Sequence, residues 1–422
     1  MADEGSSAAA ARRVIVVGAG IVGVACAIHL RRQGCDVTLV DRDEPGQGAS
    51  FGNAGVLACC SVVPVTTPGI WKKAPGMVLD PDGPLFLRWS YMPRLLPWLM
   101  TYLSSATVEH VTAVSKALAP LLFDAVDEHK ALAADGPGAP HVREALYHYL
   151  YADKAAYEGD AFGWGLRRDR GYAWEVIDGA ALREVEPHLA PGYACAVRLR
   201  GHGYISLPGD YVQALARAFA DAGGRVVKAR VTGIQAPPDG PARVAVDGDV
   251  LEADAVAVCA GVWSRALAEG LGLRVPMETE RGYHLHIEDP SITLNGPIMD
   301  TAGKFVATPM DGGLRVAGVV EFGGLDAPPS AGPQALLRRG VKRALPGLTW
   351  TRDSTWLGHR PAPADSIPVM GPAPGNDRLF FAFGHHHVGL TAGPKSGRLL
   401  ADMITGRTPN VDMSPYAIDR FQ

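Results

Sequence analysis

Val14-Ile15-Val16-Val17-Gly18-Ala19-Gly20-Ile21-Val22-Gly23 decides how the whole chain is read. Four β-branched residues run into a Gly-x-Gly-x-x-Gly turn, and an apolar helical pattern follows. Gly18 permits the tight turn off the strand. Gly20 lets backbone N–H groups approach a pyrophosphate, and Gly23 lets the helix pack close to the strand. The helix N-terminus adds unpaired N–H groups and a positive dipole end. A second strand, Asp36-Val37-Thr38-Leu39-Val40, ends in Asp41, near the spacing of about 20 residues expected for a carboxylate that grips ribose hydroxyls. Strand, glycine turn, helix, strand and acid together predict a dinucleotide site.

Composition sets the bounds. The chain has 422 residues, 47% of them hydrophobic and 20% charged, enough for a large core in two or three structural domains. A net charge of −4 without a long basic block gives no support to nucleic-acid binding. The six cysteines form no C-x-x-C pair, so neither a zinc site nor a disulfide framework is expected, and a reduced, cytoplasmic compartment is the simplest reading. Residues 1–11 read as a disordered lead-in, too poor in apolar residues for a signal peptide. No run of 18 apolar residues suggests a membrane span. Leu85 to Leu103, rich in Leu, Trp, Tyr, Phe and Met but broken by Pro93 and Pro97, reads as a buried or lid-forming segment. Its alternative is peripheral contact with the inner face of a membrane.

Downstream, Ser104 to Ala134 has helical apolar spacing, and Asp210 to Ala222 is a helix stopped by Gly223-Gly224. Asp247-Gly248 marks a hairpin. Ala253 to Cys259 is apolar enough for a parallel strand buried on both faces. Alternating strands at Arg281 to Ile287, Pro297 to Asp300, Lys304 to Pro309 and Gly313 to Val320 imply an antiparallel second layer. Leu379 to Phe383 then enters Gly384-His385-His386-His387-Val388-Gly389-Leu390, from which a helix runs to about Ile404. The expected fold is α/β with α+β insertions: a Rossmann-like domain from residues 12–60, 195–265 and 355–410, and a mixed or antiparallel-sheet substrate domain from 61–194 and 266–354. A nicotinamide site usually completes itself from two adjacent halves. Here the nucleotide-type strands return only after long insertions, which suits non-covalent FAD, whose flavin end needs covering from distant segments.

Several ordered blocks carry a family resemblance: Val17 to Gly23; Ser50-Phe51-Gly52-Asn53-Ala54-Gly55; Ala255 to Ser264; Arg281-Gly282-Tyr283; Gly358-His359-Arg360-Pro361 with Asp365 and Pro368; and Gly384 to Gly389. Over residues 13–407 the chain resembles the glycine/D-amino-acid oxidase superfamily, most closely its bacterial D-amino-acid dehydrogenase branch. The resemblance implies that Asp41 and Arg42 clamp ribose and adenine. It implies that the strand holding Val231 meets the adenine through backbone groups, and that Asn53-Ala54-Gly55 passes the pyrophosphate and flavin. Ala260-Gly261 would end a strand at the sheet's ligand edge, with Trp263 covering the cofactor. Gly384, His385, Val388, Gly389 and Leu390 would aim a helix N-terminus at the reduced flavin. Three adjacent histidines at a turn rarely converge on one ion, so no metal is expected.

By the same resemblance Arg360 binds the substrate carboxylate, a pairing that a bidentate guanidinium suits. The alternative is a structural ion pair with Asp365. Tyr283 would help hold the carboxylate, and His387 stands where glycine-oxidising relatives carry an arginine. The implied reaction oxidises the Cα–N bond of a D-amino acid or cyclic imino acid such as D-proline or hydroxyproline. The Cα–H leaves as hydride to flavin N5, giving an imine and then a 2-oxo acid, and the electrons pass to a quinone or another acceptor. This needs placement more than a side-chain base. An O2-using oxidase of glycine or sarcosine, and a flavoprotein subunit of a larger dehydrogenase complex, are the alternatives.

Overall fold

A computed structural model describes residues 11–71, 76, 80, 83–134, 136–237 and 239–422. Most of the expected lead-in, residues 1–10, lies outside the described residues. The opening motif folds as its residues dictate. Strand Arg13–Val17 sits at the centre of a six-stranded sheet, pairing in parallel with Asp36–Asp41 on one side and Ala255–Val258 on the other. Arg225–Lys228 extends the first side, and Asn376–Phe383 with the antiparallel Val369–Ala373 extends the second. All four residues of Ala255–Val258 are buried, as a strand covered on both faces requires.

Helices Ile21–Arg32 and Gly389–Ile404 pack against each other. Their contact is close because it is made through glycine. A Cβ on Gly393 would meet the Ile21 side chain at 2.8 Å, and one on Gly397 would press on Ala25 and Cys26. The chain leaves the carboxyl ends of the three central strands at Gly18, Cys259-Ala260 and Gly384, where ligands sit in open α/β sheets.

The second layer is a ten-stranded mixed sheet. Its central pair, Met277–Glu288 and Arg352–Pro363, runs antiparallel over twelve residues, with Glu280 opposite Arg360. Gly313–Phe322, Phe305–Met310 and Ile298–Asp300 follow, then Val142–Tyr151 and Cys195–Ile205. Tyr283, Leu285 and Ile287 point into a cluster with Leu337 and Val341 of helix Ala331–Ala344. Strand alternation sends Glu280, Gly282 and His284 to the opposite side. A three-stranded sheet, Val231–Gln235, Ala242–Val246 and Asp249–Ala253, stands apart, and Asp247-Gly248 turns it with φ of +31° and +90°.

The segmentation expected from sequence needs correcting at three strands. Val56–Leu57, Cys195–Ile205 and Arg352–Pro363 belong to the large sheet, though the first two and most of the third fall in segments assigned to the nucleotide-binding domain. Motif positions mark where ligand-binding loops fall, whereas sheet membership is decided by pairing between strands far apart in sequence.

Leu85 to Leu103 forms a short strand, Leu85–Leu87, and most of helix Met92–Ser104. The helix buries Leu95, Trp98 and Tyr102, and Trp98 Nε1 donates to the Ala362 carbonyl at 3.0 Å. Leu96 and Met100 on its outer face, and Trp89 just before it, are exposed. Among the described residues no helix is long and apolar enough to cross a membrane. All six cysteines are buried and unpaired, and no cluster of potential metal ligands occurs among the described residues.

Candidate active site

A cavity of about 1240 Å³ begins at the glycine turn and ends between the two large sheets. That exceeds the usual volume of a small-ligand pocket and leaves room for a dinucleotide and a small second molecule. At its first end Gly18 adopts φ +105°, and a Cβ there would lie 2.6 Å from the Cys259 carbonyl oxygen. Gly23 packs on Gly18 beneath the turn. Asp41 Oδ2 accepts from the Ala19 N–H at 2.7 Å, and its Oδ1 accepts from the Asp43 N–H at 3.0 Å. The acid therefore also braces the turn. Ser50 Oγ accepts from the Ile21 N–H at 3.1 Å and holds the small-residue loop against the helix start. Val22, Val231, Ala260 and Gly261 add to the wall. Arg42 lies 4.0 Å above the ring of Trp263, a cation–π contact that closes one side.

The loop Ser50 to Gly55 is held by residues without a motif. Arg315, buried, donates to the Phe51 carbonyl at 3.1 Å and the Asn53 carbonyl at 2.9 Å. Burial pulls its guanidinium down to about 10. The Gly52 carbonyl pairs with His284 Nδ1 at 2.9 Å, and His284 stacks on Trp356. A Cβ on Gly52 or on Gly358 would fall inside the Trp356 indole, so the loop fits only with glycine there. Asn53 Oδ1 accepts from the Gly55 N–H at 2.9 Å, Ala54 lines the cavity, and Gly55 turns with φ +82°.

At the far end the Gly384 turn delivers three histidines to three environments. His385 is buried and pairs through Nε2 with Ser396 Oγ at 2.9 Å; burial pushes it down to about 4, so it is neutral. His386 is buried with φ +51°, its backbone N–H donating to the Pro361 carbonyl at 2.9 Å. Its Nε2 stands 3.1 Å from Glu280 Oε1, and its Nδ1 meets His387 Nδ1 at 2.8 Å. His387 alone of the three is exposed to the lumen. Burial beneath the surrounding protein, with His386 and Arg360 close by, pushes its ring down to about 3. Val388 caps helix Gly389–Ile404, whose first turn lines the cavity through Gly389 and Leu390.

Arg360 is half-buried and faces the same lumen. It donates to the Val319 carbonyl at 3.1 Å and more weakly to the Gly318 carbonyl at 3.4 Å. Burial lowers its affinity for its proton, and Glu280 opposes that shift. It is not paired with Asp365, whose carboxylate is taken by Arg420 at 2.7 Å. Glu280 is buried at 3% exposure. Burial alone would raise its carboxyl, but His386 and Arg360 outweigh that and hold it below the usual range.

Tyr283 does not join this cluster, and the expectation of a carboxylate contact from its phenol is corrected. Strand parity turns its ring away from Arg360. Its hydroxyl donates to Glu321 Oε2 at 2.5 Å and accepts from the Ser330 N–H at 2.9 Å, in a buried network with Arg281. Counting parity from Gly282 could have revealed this. Glu280 could have been flagged as an acid set inside a strand that is otherwise buried. The aromatic part of the wall comes from Tyr102, Tyr147, Tyr149, Tyr151 and Phe162.

The glycine-opened turn, the braced loop, the Arg42–Trp263 lid and a cavity continuing to a second helix N-terminus fit an extended dinucleotide such as FAD. The sequence profile of the family described as FAD dependent oxidoreductase matches residues 13–403. A D-amino-acid oxidase of Bradyrhizobium diazoefficiens is 39% identical over 97% of this chain and 99% of its own length. A D-amino acid dehydrogenase of the same organism is 30% identical, again over 97% and 99%. Among solved structures, glycine oxidase from Geobacillus kaustophilus superposes with a TM-score of 0.72 at 23% identity, over 96% of this chain and 98% of that one.

Proposed function

The chain belongs to the DAO family of FAD dependent oxidoreductases, and from that premise we propose that it oxidises the Cα–N bond of a D-amino acid or cyclic imino acid. The electrons then pass to a quinone or another acceptor. The observation that carries this reading is the pairing of Arg360 with an aromatic chamber. A guanidinium lines the same cavity as Tyr147, Tyr149, Tyr151 and Phe162, and its hydrogen bonds to the Val319 and Gly318 carbonyls leave further N–H donors. An α-carboxylate suits the first and an apolar side chain or ring suits the second.

Bound FAD supplies the two-electron acceptor for the Cα–H bond. Gly18, Gly20 and the Ser50–Gly55 loop would hold its phosphate end, Asp41 would reach the ribose, and the Gly389 helix turn would offer N–H groups to its flavin end. Arg360 fixes the carboxylate, and so the direction in which the Cα–H points. The aromatic wall keeps water from the side chain.

An O2-using amine oxidase is the second reading, favoured by the D-amino-acid oxidase name of the 39% identical relative. An anaerobic flavin-bleaching screen over D-amino acids, L-amino acids, prolines and N-methyl amino acids tests the substrate. Bleaching by D-amino acids or prolines is expected, and bleaching only by L-amino acids or N-methyl amino acids overturns the reading. Reoxidation by air against a quinone analogue then separates the acceptors, since rapid hydrogen peroxide formation sinks the dehydrogenase.

A further inference from the structure

A second cation lines the cavity, and neither the cofactor nor the α-carboxylate uses it. Arg167, in helix Ala161–Asp169, is half-buried beside Tyr147, Tyr149 and Tyr151. Its position is held from several sides. Nε donates to the Cys60 carbonyl at 3.0 Å, and the guanidinium lies 4.6 Å from the Trp164 ring and 5.6 Å from the Tyr149 ring. A Cβ on Gly163 would press on its Nη1 at 3.2 Å. Its acidic neighbours are the Tyr149 and Tyr151 phenols and the Cys60 thiol, and among the described residues no carboxylate pairs with it. Asp160, on the same cavity wall, accepts from the Tyr151 hydroxyl at 2.9 Å. A guanidinium drawn out of water without a carboxylate is costly, and a bound anion relieves that cost.

Strand register relates Arg167 to Arg360. Tyr149 stands opposite Met299, Met299 opposite Val306, and Val306 opposite Ala317, and all four line the cavity. They form one floor. Arg360 is seated at one end of it, on the Gly318 and Val319 carbonyls that follow Ala317. Tyr149, with Arg167 against its ring, is the other end. Three strand spacings, about 14 Å, separate the two seats. Met299 and Val306 make the interval apolar. Such a floor suits two anionic groups joined by an apolar stem, not one small carboxylate held by both guanidinium groups.

We propose that Arg167 is a specificity-determining residue that binds a second carboxylate, at the end of the substrate's side chain. The inference rests on the amino-acid reading above and narrows it to D-amino acids with acidic side chains longer than that of aspartate. Arg360 takes the α-carboxylate, the methylenes lie along Met299, Val306 and the tyrosines, and the terminal carboxylate meets the Arg167 Nη atoms. The competing counter-charge is Cys60. Burial pushes its thiol up, but His202 and Arg167 outweigh that and hold it at about 7. The thiol is fully buried, with its Sγ 3.6 Å from the Tyr149 hydroxyl, so substrate does not reach it.

The test measures kcat and KM of wild-type holoenzyme, Arg167→Met, Arg167→Lys and Cys60→Ala, with flavin absorbance per chain recorded for each. The substrates are D-glutamate and D-2-aminoadipate against the neutral D-glutamine and D-norleucine. Wild type should favour the two acids by about tenfold or more in kcat/KM. Arg167→Met should erase that preference through the KM of the acids while D-norleucine is turned over as before. Arg167→Lys keeps the charge but loses the fork, so the preference should fall severalfold without vanishing. Cys60→Ala should retain it. No acid preference in wild type, a preference that survives Arg167→Met, or one that disappears in Cys60→Ala overturns the proposal. If Arg167→Met loses its flavin, Arg167→Lys decides, and an unmoved preference there overturns it. If no α-amino acid bleaches the wild-type flavin, the amino-acid reading fails instead. Preference for D-norleucine over both acids leaves that reading standing and removes only the role of Arg167.

Discussion

The guanidinium of Arg360 lies directly over the α-carbon of Gly282, where even a methyl group would overlap it. The two residues sit on neighbouring antiparallel strands, and the missing side chain on one makes the seat for the other. Gly282→Ala should therefore displace Arg360 and behave much like Arg360→Ala. Loss of a desolvated charge-assisted pair costs on the order of 2–5 kcal/mol, so KM should rise about 30-fold or more. Flavin absorbance per chain should stay constant in both, and steady-state kinetics on flavin-replete enzyme would check it. Unchanged KM would move the carboxylate site elsewhere.

Asp41 braces the glycine turn through the Ala19 N–H as well as facing the cavity. Asp41→Ala should weaken FAD retention by roughly 1–3 kcal/mol, the cost of leaving a buried donor without an acceptor. Flavin release followed by fluorescence during dilution gives the dissociation constant. A variant that keeps FAD as tightly as wild type would count against both roles.

Arg315 ties the Phe51 and Asn53 carbonyls to the large sheet. Arg315→Met keeps most of the volume and removes both bonds. It should lower the melting temperature by several degrees, about 1–3 kcal/mol, and raise the FAD dissociation constant while leaving Arg360 in place. Equal KM values measured at saturating FAD would separate the loop's role from the substrate's.

Glu186 supplies a pH dependence remote from the site. It is buried and accepts from the Asn295 and Gly296 N–H groups, and burial pushes its carboxyl up to about 7. In the unfolded chain it titrates near 4.5. Between those values the folded form keeps a proton that the unfolded form has released. Stability contributed by this group therefore falls as pH rises through that window and levels off above it. Glu186→Gln keeps an accepting oxygen and should flatten that slope in thermal melts recorded between about pH 5 and 8. An identical slope in both proteins would clear Glu186 of the effect.

What the sequence disclosed was local. The Gly18 turn, the Asp247-Gly248 hairpin and the helix after Gly384 each depend on a few adjacent residues, and each forms where its pattern predicts. Glu280, His386 and Arg315 depend on register between strands and turns up to about a hundred residues apart for Glu280 and His386, and over 260 for Arg315 and its loop. No spacing rule within one segment reports such pairing. Tyr283 shows the same limit from the other side. It belongs to a block of the expected motif, yet a one-residue step along a strand turns a side chain to the opposite face. The segmentation missed Cys195–Ile205 and Arg352–Pro363 because sheet membership depends on pairing with strands distant in sequence.

The glycine-lined contact between the two parallel helices has a further consequence. Gly393 rests on Ile21, the first residue of its own helix, so the later helix begins at Gly389 about one turn, roughly 5 Å, farther along. The offset between the two N-termini is therefore set by helix packing and not by loops that could adjust. The two helix N-termini therefore keep a fixed spacing along the cavity wall, whatever the loops around them do.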